Sequence, residues 1–334
     1  MEANSPVVNF SLRTIILALM LALVVPAWAA STAIWFGGED PVVQKDKHKD
    51  NPADYMDIFK PDAPWSTAAS GLTAFKISTQ LALRGTDEQL QTVLVGLKSR
   101  HIALAIELGV LVTSDRCGKG TEGYGSPRTV EAVAKRIKSL GGRLDYIAMD
   151  EPVTWGHEKT GSNAKGFSYC QDEVADLVDQ AAPKIAILQN YFPDVKIGEV
   201  DAVNGRYPHL ANDIIEFIDL LHKKTGLKPA FVHADVAWDS NWQPMLENLA
   251  LRLHNRGVRL GVIFDGDLKA SSDEEWVSEA LERYRSITGN PNINPDDLVF
   301  QTWSPRPTHM LPETDPGAWS YAVRYAVIAG SSLK

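Results

Sequence analysis

The chain has 334 residues, of which 44% are apolar and 22% charged, an ordinary globular composition with enough length for one large α/β domain or two small ones. Its formal net charge of −9 argues against a nucleic-acid partner, because phosphate binding calls for clustered Lys and Arg. The same charge argues against docking on an anionic membrane surface.

The N-terminal segment reads as a targeting signal. Arg13 supplies positive charge, Ile15 to Pro26 is an apolar run, and Ala27-Trp28-Ala29 has the small-x-small spacing of a cleavage site. The run is short for a bilayer span, and no cysteine follows it for lipid attachment. A signal peptide over 1–30 is therefore expected, cut near Ala29 or Ala30, followed by one domain over 31–334. The expected product is periplasmic or secreted, monomeric and without a membrane anchor. In such a compartment Cys117 and Cys170, the only two cysteines, are expected to pair.

Eight apolar, β-rich runs follow in order: Thr32–Phe36, Leu72–Ile77, Ile102–Leu108, Leu144–Met149, Val195–Val200, Ala230–Val236, Leu260–Phe264 and Leu298–Thr302. Several are almost continuously apolar, as parallel strands buried on both faces should be. Between them stand helix signals. Thr86 with Gln89 and Ser272 with Glu275 have capping-box spacing. Ser126-Pro127 and Asp315-Pro316 place a capping residue before a proline. Gly141, Gly226 and Gly257 sit where a helix would end, and Ile214, Ile215, Ile218 and Leu221 form one apolar stripe after the fifth strand. Strand and helix alternate eight times, and Gly37-Gly38-Glu39-Asp40 stands where a dinucleotide-binding sheet would carry its Gly-x-Gly-x-x-Gly turn. The expected fold is a single (β/α)₈ TIM barrel.

In such a barrel the active site lies at the C-terminal ends of the strands. Those ends carry Trp35, Glu39 and Asp40; Ser78 and Gln80; Glu107; Asp150 and Glu151; Glu199 and Asp201; His233, Asp235 and Trp238; Asp265 and Asp267; and Gln301 and Trp303. Carboxylates and tryptophans dominate. Pyranose rings stack on flat aromatics and their hydroxyls seek bidentate acceptors, while a pair of carboxylates can protonate and stabilise a breaking glycosidic bond. A carbohydrate substrate follows, with no cofactor and no metal ion expected at the site.

Asp150-Glu151-Pro152 resembles the Asn-Glu-Pro motif of the large clan of retaining (β/α)₈ glycoside hydrolases. The resemblance implies that Glu151 is the general acid/base, that the nucleophile ends the seventh strand, and that Trp303 lines a sugar subsite. Two positions depart from the clan. Asp150 stands where the clan has asparagine and cannot donate an amide hydrogen bond, and the seventh strand offers Asp265 and Asp267 where the clan has glutamate. Asp267 is the first choice for the second carboxylate and Asp235 the next, since it shares its strand end with Trp238. Trp35, Glu107, Asp150, Glu199, His233, Trp238, Gln301 and Trp303 are the expected substrate-binding residues. Two other readings stay open. One is a metal-dependent barrel enzyme, because Glu107, Glu151 and Glu199 with Lys76 resemble the acid ladder of the enolase superfamily. The other is a carbohydrate-binding barrel without catalysis.

Overall fold

The structure, a computed structural model, describes residues 1, 32–43 and 53–331; the segment read as a signal peptide lies outside them. All eight runs are strands: β1 (Ala33–Gly37), β2 (Leu72–Ser78), β3 (Ala103–Leu108), β4 (Tyr146–Asp150), β5 (Lys196–Val203), β6 (Phe231–Val236), β7 (Arg259–Phe264) and β8 (Asp297–Phe300). Each pairs in parallel with the next, and β8 closes on β1. Two carboxyl ends differ from the sequence expectation by more than one residue: β5 continues to Val203, and β8 stops at Phe300, so Gln301 and Thr302 already belong to the loop.

Alternation of side chains along each strand sorts the barrel into a lumen and an outer face. The lumen is packed by Trp35, Ala74, Ala105, Ala148, Val200, Phe231, Ile263 and Val299. Alanines on β2, β3 and β4 leave room for the Trp35 indole, which lies on edge against Tyr146, with ring centroids 4.7 Å apart, and 5.1 Å from Phe231. The barrel is thereby filled rather than open.

The outer face is sealed by helices. α1 (Ser66–Ser70) and α2 (Thr79–Arg84) are short; α3 (Asp87–Ser99), α4 (Pro127–Ser139), α5 (Val174–Tyr191), α6 (Leu210–Thr225), α7 (Gln243–His254), α8 (Asp273–Thr288) and α9 (Trp319–Ser331) complete the layer. α4 shows how the sequence specifies one of them. Ser126 accepts the Thr129 amide, Pro127 opens the helix, and Val130, Val133, Ala134 and Ile137 bury one stripe. Thr86 and Gln89 form the expected reciprocal box at α3, and Gly226 ends α6 at a φ of 74°, where a Cβ would be strained. Ser272 caps α8 through the Glu275 amide, while the Glu275 side chain turns to Ser271 instead. Asp315-Pro316 does not begin a helix. Asp315 accepts the Gly317 amide and lies 3.2 Å from His309, a local turn that delays α9 to Trp319.

Candidate active site at the carboxyl ends of the strands

Continuing the lumen face upward by steps of two brings polar residues to the mouth from six of the strands. From Ala74 it reaches Lys76 and Ser78, from Ala105 Glu107, from Ala148 Asp150, from Phe231 His233 and Asp235, from Ile263 Asp265, and from Val299 Gln301. Glu151, one residue past Asp150, should by the same rule face outward. It does not continue the strand: its φ is +40°, a left-handed conformation uncommon outside glycine. The chain turns there, the Glu151 amide still donating to the Val200 carbonyl at 3.0 Å. The Glu151 side chain is buried and lies close enough to the carboxyl of Asp235 on β6 for each to alter the other's proton affinity.

The electrostatics follow from crowding acids in a site poor in cations. Burial raises the Glu151 pKa far above its usual value, and the charges of Asp235, Asp201, Glu122 and Asp150 push the same way. Burial likewise raises Asp235, helped by Asp265, and raises Asp150, helped by Glu122 and Glu107. Glu107 behaves oppositely. Burial alone would raise it, but the Lys76 ammonium at 2.8 Å and the Gln301 amide at 3.2 Å outweigh that and hold it below its usual value. The mouth thus combines one fixed carboxylate, Glu107, with carboxyls whose pKa burial raises: Glu151, Asp150 and Asp235, the last to about 8.

Beside this cluster opens a cavity of about 730 Å³. Its wall includes Lys76, Glu107, Glu122, Asp150 and Gln301, with Trp155, Tyr169 and Trp303 as aromatic surfaces. Trp303 is 39% exposed, so part of its indole is open at the cavity. Glu151 and Asp235 are not part of that wall.

Two loops build the site. The first, between β3 and α4, carries Glu122. It folds back through Leu111 N to Gly123 O and Gly125 N to Leu111 O, and buried Lys184 of α5 donates to the Val110 and Leu111 carbonyls. The expected Cys117–Cys170 disulfide is present and ties this loop to the one after β4. The second loop leaves Glu151 directly. Asp201 accepts the Val153 and Thr154 amides at 2.9 and 3.0 Å, together with the Thr154 hydroxyl, so the residues after Glu151 hang from β5.

No protein-family model matches the sequence, and no curated protein does. Solved structures do match in fold. The chain is similar to fungal β-1,4-galactanases (TM-score 0.53, 9% identity, 89% of this chain and 100% of theirs). It is similar to a psychrophilic family 10 endo-β-1,4-xylanase (0.52, 9%, 82% and 86%). A family 10 endoxylanase from a sugarcane soil metagenome matches at 0.51, with 14% identity over 90% of this chain and 98% of that one. The shared feature is the barrel.

Several residues expected at the mouth stand elsewhere. Trp35 is 2% exposed within the lumen, 4.6 Å from the His233 ring, because small residues around it let the indole sink. His233 is buried beside it, its Nε2 3.5 Å from Asp297, and burial lowers its pKa to about 4, which keeps it neutral. Glu199 shares the outer face of β5 with Ile197 and Val203, away from the lumen, so Glu107, Glu151 and Glu199 do not form one ladder. Asp267 turns to its own loop, accepting the Lys269 amide. Trp238 donates to Asp265 at 3.0 Å, lies under the Arg283 guanidinium and meets Trp242 edge-on, outside the cavity wall. Glu107, Asp150, Gln301 and Trp303 do converge. The strand-end pattern passes over Glu122, whose glycine-rich loop gives no period. It places Asp201 only at its strand end, although an acid next to another on a buried strand hints at a backbone acceptor.

Proposed function

We propose that the protein is an exported glycoside hydrolase in which Glu151 is the general acid and Asp235 the second carboxylate. The observation that carries this reading is the Glu151–Asp235 pair. A glutamate in a left-handed turn, buried and with an aspartate beside it that pushes its pKa further up, is an acid held above the ordinary carboxylate range, and backbone outliers of this kind cluster at active sites. Glu151 gives its proton to the glycosidic oxygen as the bond to the anomeric carbon breaks. Asp235 passes its own proton to Glu151 as that transfer occurs, and the resulting Asp235 carboxylate faces the developing positive charge until water adds to the anomeric carbon and returns a proton to Asp235. Glu107, held ionised by Lys76, accepts sugar hydroxyls, and Trp303 with Trp155 offers stacking surfaces along the cavity. Asp235 ends β6 rather than β7, a departure from the clan that Asp150-Glu151-Pro152 resembles. Export is inferred from the N-terminal pattern together with the Cys117–Cys170 bridge.

Barrels similar to this one belong to proteins named as xylanases and galactanases, so β-1,4-linked xylan and galactan lead the substrate panel. The test is release of reducing ends from that panel, with Glu151→Gln as control. Release that the variant loses by about 10² to 10⁴ supports the assignment. Binding of a polysaccharide without release would favour the non-catalytic barrel, a reading with its own support in Glu151 and Asp235 lying off the cavity wall. Export is checked by N-terminal sequencing of the secreted chain, which should begin near residue 30.

A further inference from the structure

Immediately beyond Glu151 the chain makes a single wide helical turn, Thr154–Glu158, with the hydrogen-bond spacing of a π-helix. Such turns are rare and recur at functional sites. This one presents His157 and Glu158 together toward Asp213 in the first turn of α6. One ligand atom from each of the three lies within 4.8 Å of the others, and all three residues are half-buried.

Two further observations separate this cluster from a chance gathering of acids. His157 Nδ1 is 2.7 Å from the Asp172 carbonyl oxygen. A carbonyl only accepts, so Nδ1 carries the proton and Nε2 keeps the free lone pair, the arrangement that orients a metal-binding imidazole. Asp213 Oδ2 is closed off from solvent yet accepts no hydrogen bond among the described residues, and a buried polar atom left without a partner calls for an explanation. No lysine or arginine among the described residues pairs with Glu158 or Asp213, and the nearby Lys159 ammonium lies over the Trp155 and Tyr207 rings instead.

We infer that His157, Glu158 and Asp213 form a binding site for one borderline divalent cation, with Zn²⁺ the best fit. One imidazole nitrogen with two carboxylate oxygens suits Zn²⁺, whereas Ca²⁺ and Mg²⁺ take oxygen ligands throughout. Tetrahedral donors around Zn²⁺ stand roughly 3.4 Å apart, so binding draws the three ligand atoms inward from their present spread of up to 4.8 Å. Three protein ligands leave the fourth position to water. The bound ion would pin the turn that follows Glu151 to α6, while Asp201 already anchors its start and the Asp172 amide donates to Gly156 at 2.8 Å. The site lies outside the cavity and is independent of the glycosidase reading.

The experiment is calorimetric titration of the disulfide-bonded protein, stripped with chelator, with Zn²⁺ near neutral pH, paired with melting curves. The expected result is one ion per chain and a melting temperature that rises with Zn²⁺ concentration, as binding to the folded state alone requires. His157→Gln and Asp213→Asn should melt with the chelated wild type but bind at least about 10- to 100-fold more weakly, since losing a ligand costs no less than losing its outer support. Absence of binding at millimolar Zn²⁺, or binding that both variants retain, overturns the site. Should either variant fail to fold, anomalous scattering at the zinc edge from wild-type crystals decides. A peak between the three side chains supports the site, and a peak elsewhere, or none, removes it.

Discussion

The barrel mouth has two unlike arcs. Over β1 to β4 and β8 the strand ends face an open cavity, and their polar groups pair with one another: Lys76 with Glu107, Gln301 with Glu107, Ser78 with Asp40. Over β5 to β7 the carboxylates are as numerous, but apart from Asp235 and the outward-facing, unpartnered Glu199 they are committed to the scaffold. Asp201 holds the loop after Glu151, Asp265 takes Trp238 and Arg283 at 3.0 and 2.7 Å, and Asp267 caps its own turn. Only Asp235 on that side turns toward Glu151. Abundance of acids at strand ends therefore says little about which of them are free to act. What decides is whether a backbone amide or a cation of the scaffold has already claimed the group.

The largest effect that could break this comparison is on turnover. Glu151→Gln keeps the shape of the pair but removes the transferable proton, and should lower polysaccharide cleavage by about 10² to 10⁴; an Asp267→Asn variant, altering a turn acceptor, should stay within a few-fold. Equal losses in the two would erase the distinction between the arcs.

Cutting the tie between the two site loops comes next. The Cys117–Cys170 bridge spans a sequence separation of 53, for which loop entropy gives about 4 kcal/mol. Cys117→Ser with Cys170→Ser should lower denaturant stability by up to that amount, and an unchanged midpoint would mean the loops are held by their backbone bonds alone. Asp201→Ala should cost about 3 kcal/mol, because it strands the buried amides of Val153 and Thr154. Urea unfolding reads both.

The pH dependence sharpens the picture further. Glu151 and Asp235 bind protons more tightly folded than unfolded. Their stabilising contribution is complete below the ordinary carboxylate pKa of about 4 and is lost as pH rises through the raised values, at about 1.4 kcal/mol for each tenfold gain in proton affinity. Glu151→Gln should therefore melt higher than wild type at about pH 8 and lose that advantage near about pH 5; the same difference at both would mean that the carboxyl is not raised. The smallest effect is expected at Glu199, buried with both oxygens unpartnered. Glu199→Met should stabilise by about 1 kcal/mol and leave cleavage unchanged, as its outward position requires; a fall in cleavage would place it in the site after all.

The sequence by itself determined the barrel. Eight apolar runs with capping signals between them leave few alternatives, because strand and helix periods are local properties and each segment must bury its own face. It also marked Glu151, since an acid between a buried strand and a proline is a local oddity, and it marked the cysteine pair through the order of the loops. Register and approach were decided only in three dimensions. The two-residue alternation sends Glu199 and Asp201 outward, but nothing local says which parity faces the lumen. Trp35 sinks into the barrel because Ala74, Ala105 and Ala148, far apart in sequence, leave a hole of its size. Glu122 arrives from an aperiodic loop, and Asp235 meets Glu151 only because a left-handed turn swings the glutamate back over β5. Such meetings depend on contacts between distant segments, and the sequence records each partner without recording that they touch.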